Sequence, residues 1–160
     1  MKVFALALTL AGVLPPVAPG PTADTGAVAA VRSFYAWDFA QSNGNWTTHF
    51  GQAKKFFRPS LYALLQQSLA KQAKTNEVIL DFDPFVNAQS NASAYELGTP
   101  VDKGSVTLVP VTLTIPHSTS KTHLTMVVSL GPDGYAIYDV LYANPTFTLR
   151  GYLQKAVSTS

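Results

Sequence analysis

Two runs of strict alternation most constrain what this chain can fold into. Between Ser105 and Pro116, Val109, Val111, Leu113 and Ile115 alternate with Leu108, Pro110, Thr112 and Thr114. Between Thr122 and Leu130, the apolar residues are Leu124, Met126, Val128 and Leu130. Residues two apart in a strand share a face, so each run predicts a strand with one apolar side. Pro110 cannot donate to a ladder and marks an edge or a bulge. Placing the apolar faces together sets an expected register: Ile115 beside Leu124, Leu113 beside Met126, Val111 beside Val128. Gly131-Pro132-Asp133-Gly134 then reads as a hairpin turn into a last strand, Tyr135 to Tyr142. Two registers stay open for that strand. One turns Ile137, Asp139 and Leu141 to the core; the other turns Tyr138, Val140 and Tyr142 there. In the first, Asp139 is buried, needs a partner, and is the best single candidate for a pocket acid.

Helical periods precede the strands. From Asp24 to Ser42, Val28, Val31, Phe34, Tyr35 and Asp38-Phe39 keep three- and four-residue spacing. Asp24 or Thr25 would cap this helix, and Gly44 would end it. Trp46 to Phe57 predicts a short helix or turn packed on the first. Pro59 to Thr75 predicts a long helix with proline in its first turn and a Leu61, Leu64, Leu65, Leu69 stripe. Glu77 to Phe82 reads as a strand, Ser93 to Pro100 as a short one, and Asp102-Lys103-Gly104 as a turn. Asn144-Pro145 breaks the last strand, and Phe147 to Val157 closes the chain as a helix. The expected class is α+β, with N-terminal helices packed on a curved antiparallel sheet and a short C-terminal helix.

The N-terminal segment stands apart from this pattern. Lys2 precedes an apolar run from Val3 to Leu14, and Pro15, Pro16, Pro19 and Pro21 follow. The run is too short to span a bilayer and reads as a secretory signal peptide over 1–23. Residues 24–160, about 137 residues, would then form a single domain. The expected location is periplasmic or secreted in a bacterium, with no membrane insertion after cleavage. The chain has no cysteine, which excludes a disulfide framework, a thiolate metal site, a cysteine nucleophile and a lipid-anchored cysteine. Net charge is only +2, and Lys54-Lys55-Arg58 is the one basic cluster. It reads as a solvated helix face, so no nucleic-acid partner is expected.

The stretch Val78-Ile79-Leu80-Asp81-Phe82-Asp83-Pro84-Phe85, followed by Val86-Asn87-Ala88-Gln89, joins the two halves. In an extended strand, Asp81 and Asp83 would be neighbours, and two adjacent carboxylates can form an acid/base pair or a cation site. The simpler reading is a strand end: Asp-Pro initiates a turn, Asp83 caps it through the backbone, and Asp81 faces solvent. His117 is expected at the end of the core-side face and His123 on the opposite face, which argues against a paired-histidine metal site. The candidate catalytic residues are Asp139, Asp83 and His117. The candidate ligand-binding residues are Tyr35, Asp81, Asp83, Phe85, Gln89, Tyr138 and Asp139. No metal and no cofactor is expected.

Several stretches together resemble a known group. They are Val31-Arg32-Ser33-Phe34-Tyr35, Phe57-Arg58-Pro59-Ser60-Leu61, Asp81-Phe82-Asp83-Pro84-Phe85 with Ala88-Gln89, and Gly134-Tyr135-Ala136-Ile137-Tyr138-Asp139-Val140. They resemble the exported bacterial proteins grouped as domain of unknown function 3828, and the element order resembles the cone-shaped fold of nuclear transport factor 2-like proteins. The resemblance implies a fold more than an activity, because related cones bind ligands, bind proteins or catalyse small reactions. A non-catalytic periplasmic ligand- or protein-binding module is favoured, since no nucleophile elbow, phosphate loop or metal-spaced histidine set is present. One alternative is a small cone-fold enzyme with Asp139 or Asp83 as general base and Tyr35, Tyr138 or His117 as donor. Another is an inhibitor or immunity-type protein acting on a cell-wall enzyme. The partner would be an unknown small molecule or a periplasmic protein. A homodimer through the outward sheet face (Thr112, Thr114, His123, Thr125, Val127) is a further expectation.

Overall fold

The structure, a computed structural model, describes residues 26–41, 46–142 and 147–159. The expected signal peptide, the Gly44 cap and the Asn144-Pro145 break lie outside these residues. Within them, four helices and a curved five-stranded antiparallel sheet make an α+β architecture.

Helix α1 covers Gly26–Phe39 and buries Ala27, Val28, Val31, Phe34, Tyr35 and Asp38. That spacing lays one stripe of the helix on the inner face of the sheet, across β3 (Thr107–Thr114), β4 (Thr122–Gly131) and β5 (Gly134–Tyr142). Helix α2, Phe50–Ala53, runs into a single 3-10 turn, Lys54–Phe56. Helix α3, Pro59–Thr75, starts on its proline and ends on Asn76, whose φ of 59° and N–H bond to the Gln72 carbonyl form a left-handed cap. Helix α4, Leu149–Ser158, buries Leu149 and Leu153 and packs against α3 and β5.

The core is unusually rich in rings. Phe85 lies 4.9 Å from Phe34, 5.3 Å from Trp46 and 5.1 Å from Phe57, ring centre to ring centre. All four are buried. Each such side chain removed from water contributes about 1.5–3 kcal/mol.

The sheet order is β1 (Ala94–Leu97), β3, β4, β5, with β2 (Val101–Asp102) also on the outer edge of β3. Pro110 sits where β1 stops and β2 has not begun. Its carbonyl accepts from Gly98 N–H at 2.9 Å, so its missing donor falls in the same gap. The far edge of β5 is covered as well. Phe57 bridges to Ile137, Arg58 N–H donates to the Ile137 carbonyl at 2.8 Å, and Thr148 bridges to Leu141.

Four sequence expectations are corrected. First, Glu77–Phe82 is not a strand. The N–H groups of Ile79 and Leu80 donate to the side-chain oxygen of Gln72 at 3.1 and 3.3 Å, and the Ile79 carbonyl accepts from the Tyr152 hydroxyl. Side chains supply the bonds a ladder would have made, and Val78 is left 70% exposed. Second, Val111 lies opposite Leu124 rather than Val128, four residues away. An even slip keeps every side chain on its own face, so alternation cannot detect it. The connection decides it: Ser118 N–H donates to the Ile115 carbonyl at 3.2 Å, which ends the strand early. Third, His117 therefore sits in that exposed turn at φ 63°, not at the end of the core-side face. Fourth, β5 follows neither open register throughout. Val127 pairs with Asp139 but Val128 pairs with Ile137, so Tyr138 is an extra, bulged residue. Ile137 faces the core before the bulge; Val140 and Tyr142 face it after.

Candidate ligand-binding site

The Asp83–Ala88 turn is built by its own backbone. Asp83 N–H donates to the Ala88 carbonyl at 2.9 Å, and the Asp83 carbonyl accepts from Asn87 N–H at 2.7 Å. Asn87 takes the left-handed conformation, φ 54°, that closes so tight a loop. The Asp83 carboxylate accepts from Phe85 N–H at 2.8 Å, the local turn bond expected of an Asp before proline. Two tyrosines hold the turn from the core. The Tyr35 hydroxyl donates to the Phe85 carbonyl at 2.7 Å, and the Tyr142 hydroxyl donates to the Pro84 carbonyl at 2.9 Å. Tyr35 and Phe85, both expected in a ligand-binding set, are thus fully buried parts of the core that position Asp83. Asp81 is exposed beside the turn and does not pair with Asp83 along a strand.

The acid that does approach Asp83 comes from α1. Asp38 follows Phe34 by four residues and Tyr35 by three, so helix geometry carries it onto the buried stripe. It is only 9% exposed, and its Oδ1 has no hydrogen-bond partner among the described residues. Asp38 and Asp83 line one cavity of about 200 Å³, together with Phe39, Gln41, Val86 and Asn91. Burial pushes the Asp38 carboxyl up to about 6. Burial also raises Asp83, to about 7, with the Asp38 charge adding to the shift and the Phe85 and Val86 N–H groups opposing it. The sequence did show Asp38 inside the helical stripe. An acid at a core-facing position of the helix is the sequence signal for this site.

A second cavity of about 270 Å³ shares Asp83 and Asn91 with the first. Trp46, Gln72 and Leu80 line it, with Asp81 and Gln89 exposed at its rim. Trp46 is 1% exposed, and its indole N–H has no partner among the described residues. Thus one unpaired acceptor and one unpaired donor border two spaces that meet at Asp83. Buried polar groups are almost always bonded, so both atoms mark a place for a partner. Among the described residues, no lysine or arginine lines either cavity.

The other candidate residues do not join this site. Asp139 is buried, and its Oδ1 accepts from Val140 N–H at 2.8 Å and Arg150 N–H at 2.9 Å. Tyr138 is covered by the Arg150 guanidinium, 4.3 Å above its ring centre. His117 is exposed in its turn, and His123 meets Thr112 at 3.2 Å on the outer sheet face. Of the residues expected there, Thr112, His123 and Thr125 border a shallow cavity of about 200 Å³, while Val127 is buried. Among the described residues no group of three or more His, Asp or Glu is arranged to hold a metal ion, and no helix is long and apolar enough to cross a membrane.

Chemically, the Asp38–Asp83 cavity offers two carboxylates without a counter-charge. It can take up a proton near neutral pH, or accept a cation in its place. Comparison of the chain with protein-family models, with curated proteins and with solved structures gave no significant match.

Proposed function

We propose that the mature chain is an exported, non-catalytic binding module whose ligand is a small molecule carrying a primary ammonium group, held between Asp38 and Asp83. The observation that carries this reading is the buried Asp38 Oδ1, which has no partner among the described residues, in a cavity that Asp83 shares and that no basic side chain of those residues lines. A buried carboxylate without a partner is costly, and a ligand cation removes that cost. The unpaired Trp46 N–H beside the adjoining cavity adds a second contact, for a hydroxyl or carbonyl oxygen on the same ligand. The volume suits a molecule of a few non-hydrogen atoms rather than a large cofactor.

Binding is favoured over catalysis because the hydroxyl and the further acid that a general-base reading would use are already engaged. The Tyr35 hydroxyl is committed to a backbone carbonyl, and Asp139 is committed to two N–H groups. The order of helices before a curved antiparallel sheet also supports kinship with the cone-shaped nuclear transport factor 2-like fold, which often surrounds a pocket.

Thermal melting with short alkylammonium chlorides, and with the matching alcohols as neutral controls, tests the reading. A ligand that binds only the native state raises the midpoint. The amines should raise it, the alcohols should not, and Asp38→Asn and Asp83→Asn should each abolish the response. Equal responses in both variants and the parent protein would refute it.

A further inference from the structure

We propose a second binding site, for a small organic anion with a planar ring, in the cavity between the 3-10 turn, the start of α3 and the β4–β5 hairpin. This cavity measures about 490 Å³, well above either acid-lined space. Among the described residues, Lys54, Lys55 and Arg58 line it, against a single acid, Asp133. None of the three cations has a carboxylate within ion-pair distance among the described residues, where the exposed pair Lys121–Glu96 shows what such a contact looks like at 3.1 Å. A cluster that reads in sequence as a solvated helix face is therefore drawn around a concave surface.

The walls are built to hold their side chains in place. A Cβ at Gly131 would fall 1.6 Å from Arg58 Nη1, so the guanidinium lies directly on that glycine. A Cβ at Gly26 would fall 2.5 Å from the Tyr135 ring, so that ring lies on the first residue of α1. Tyr135 is nonetheless 41% exposed. On the other side, Tyr62 stacks on Phe50 at 4.5 Å and 6°, and the Lys54 ammonium stands 5.8 Å over the Tyr62 ring. Two seated aromatic rings supply surface for a planar apolar body. The arginine fork and two ammonium groups supply contacts for a carboxylate. Arg58 is also the first flanking residue of α3 and makes no side-chain cap, so the positive end of that helix adds to the same potential.

Among the described residues this site shares no lining residue with the Asp38–Asp83 cavity, so either proposal can fail alone. The test is calorimetric titration of the full chain with benzoate, with benzamide as its neutral analogue and inorganic phosphate as an anion without a ring. Benzoate should bind, benzamide should not, and phosphate should bind more weakly than benzoate. Arg58→Gln should weaken benzoate by about tenfold, the loss of one charge-assisted contact. Gly131→Ala should weaken it comparably without changing any charge, because the added methyl pushes the guanidinium off its seat while the flexible side chain yields and the fold persists. Asp133→Asn should tighten it. Asp38→Asn should leave it unchanged. Benzoate affinity that is undetectable, or unmoved in both Arg58→Gln and Gly131→Ala, overturns the site. Phosphate binding as tightly as benzoate overturns the ring requirement.

Discussion

The Asp139 carboxylate accepts the backbone N–H of Arg150 at 2.9 Å, so an acid on β5 closes the open end of a helix eleven residues further along. The same oxygen takes the Val140 N–H, and Thr148 caps the helix from its other side by accepting from Gly151 N–H at 3.0 Å. Helix α4 is thus joined to the sheet at the bulge that turns Asp139 away from the inner face.

If that role is structural, Asp139→Ala should destabilise the fold by about 1–2 kcal/mol, the range for losing a helix cap. Asp139→Asn, which keeps the acceptor oxygen, should cost much less. Urea denaturation measures both. Neither variant should alter the alkylammonium response while folded; loss of that response in a fully folded Asp139→Asn protein would place this acid in the binding site after all.

Asp38 should make the protein less stable as pH rises. An unfolded carboxyl ionises near 3.8 and the folded Asp38 near 6. Between those values the folded chain keeps a proton that the unfolded chain has lost, so stability falls as pH climbs from about 4 to about 6. Asp38→Asn removes that dependence. It should be more stable than the parent by roughly 1–3 kcal/mol at pH 8 and by nearly nothing at pH 4. Melting curves across pH check the sign, and a variant less stable at pH 8 would contradict it.

Ammonium binding should follow the same protons in the opposite sense. The cation requires both carboxylates ionised, and Asp83 ionises only near 7. Affinity should therefore fall by roughly tenfold to twentyfold from pH 8 to pH 6. Proton release on binding, read by calorimetry in buffers of different ionisation enthalpy, should be larger at pH 7 than at pH 8. An affinity that is flat across this range would separate the ligand from the acid pair.

Tyr35→Phe and Tyr142→Phe each remove a hydroxyl from a carbonyl of the Asp83 turn. Each should cost about 1–3 kcal/mol, because a buried acceptor is left unpaired. Both act on the same short turn, so the double variant should show coupling rather than simple addition. Chemical denaturation of the four proteins measures it. Strict additivity would mean the two tyrosines do not hold one unit.

Much of the fold was legible because it rests on local rules. Pro59 and the leucine stripe predict α3 over Pro59–Thr75, where it is found, and Gly131-Pro132-Asp133-Gly134 predicts the β4–β5 hairpin. The candidate site was read in part. Asp83 belongs to it, with its turn bond; Tyr35 and Phe85 support it from the core; Asp139, Tyr138 and His117 lie elsewhere. Asp38 was missed, since nothing in the spacing of two acids 45 residues apart shows that they share a cavity.

Sequence alone determined the periodic elements, their apolar faces and the absence of any thiol chemistry, because each follows from the spacing or identity of residues within one segment. Tertiary structure alone decided the four-residue register, the bulge at Tyr138, the use of Gln72 in place of a strand ladder, and the meeting of Asp38 with Asp83. An even slip leaves the pattern of faces unchanged, and a long-range hydrogen bond or shared cavity depends on where two distant segments pack. Neither leaves a local trace in the order of residues.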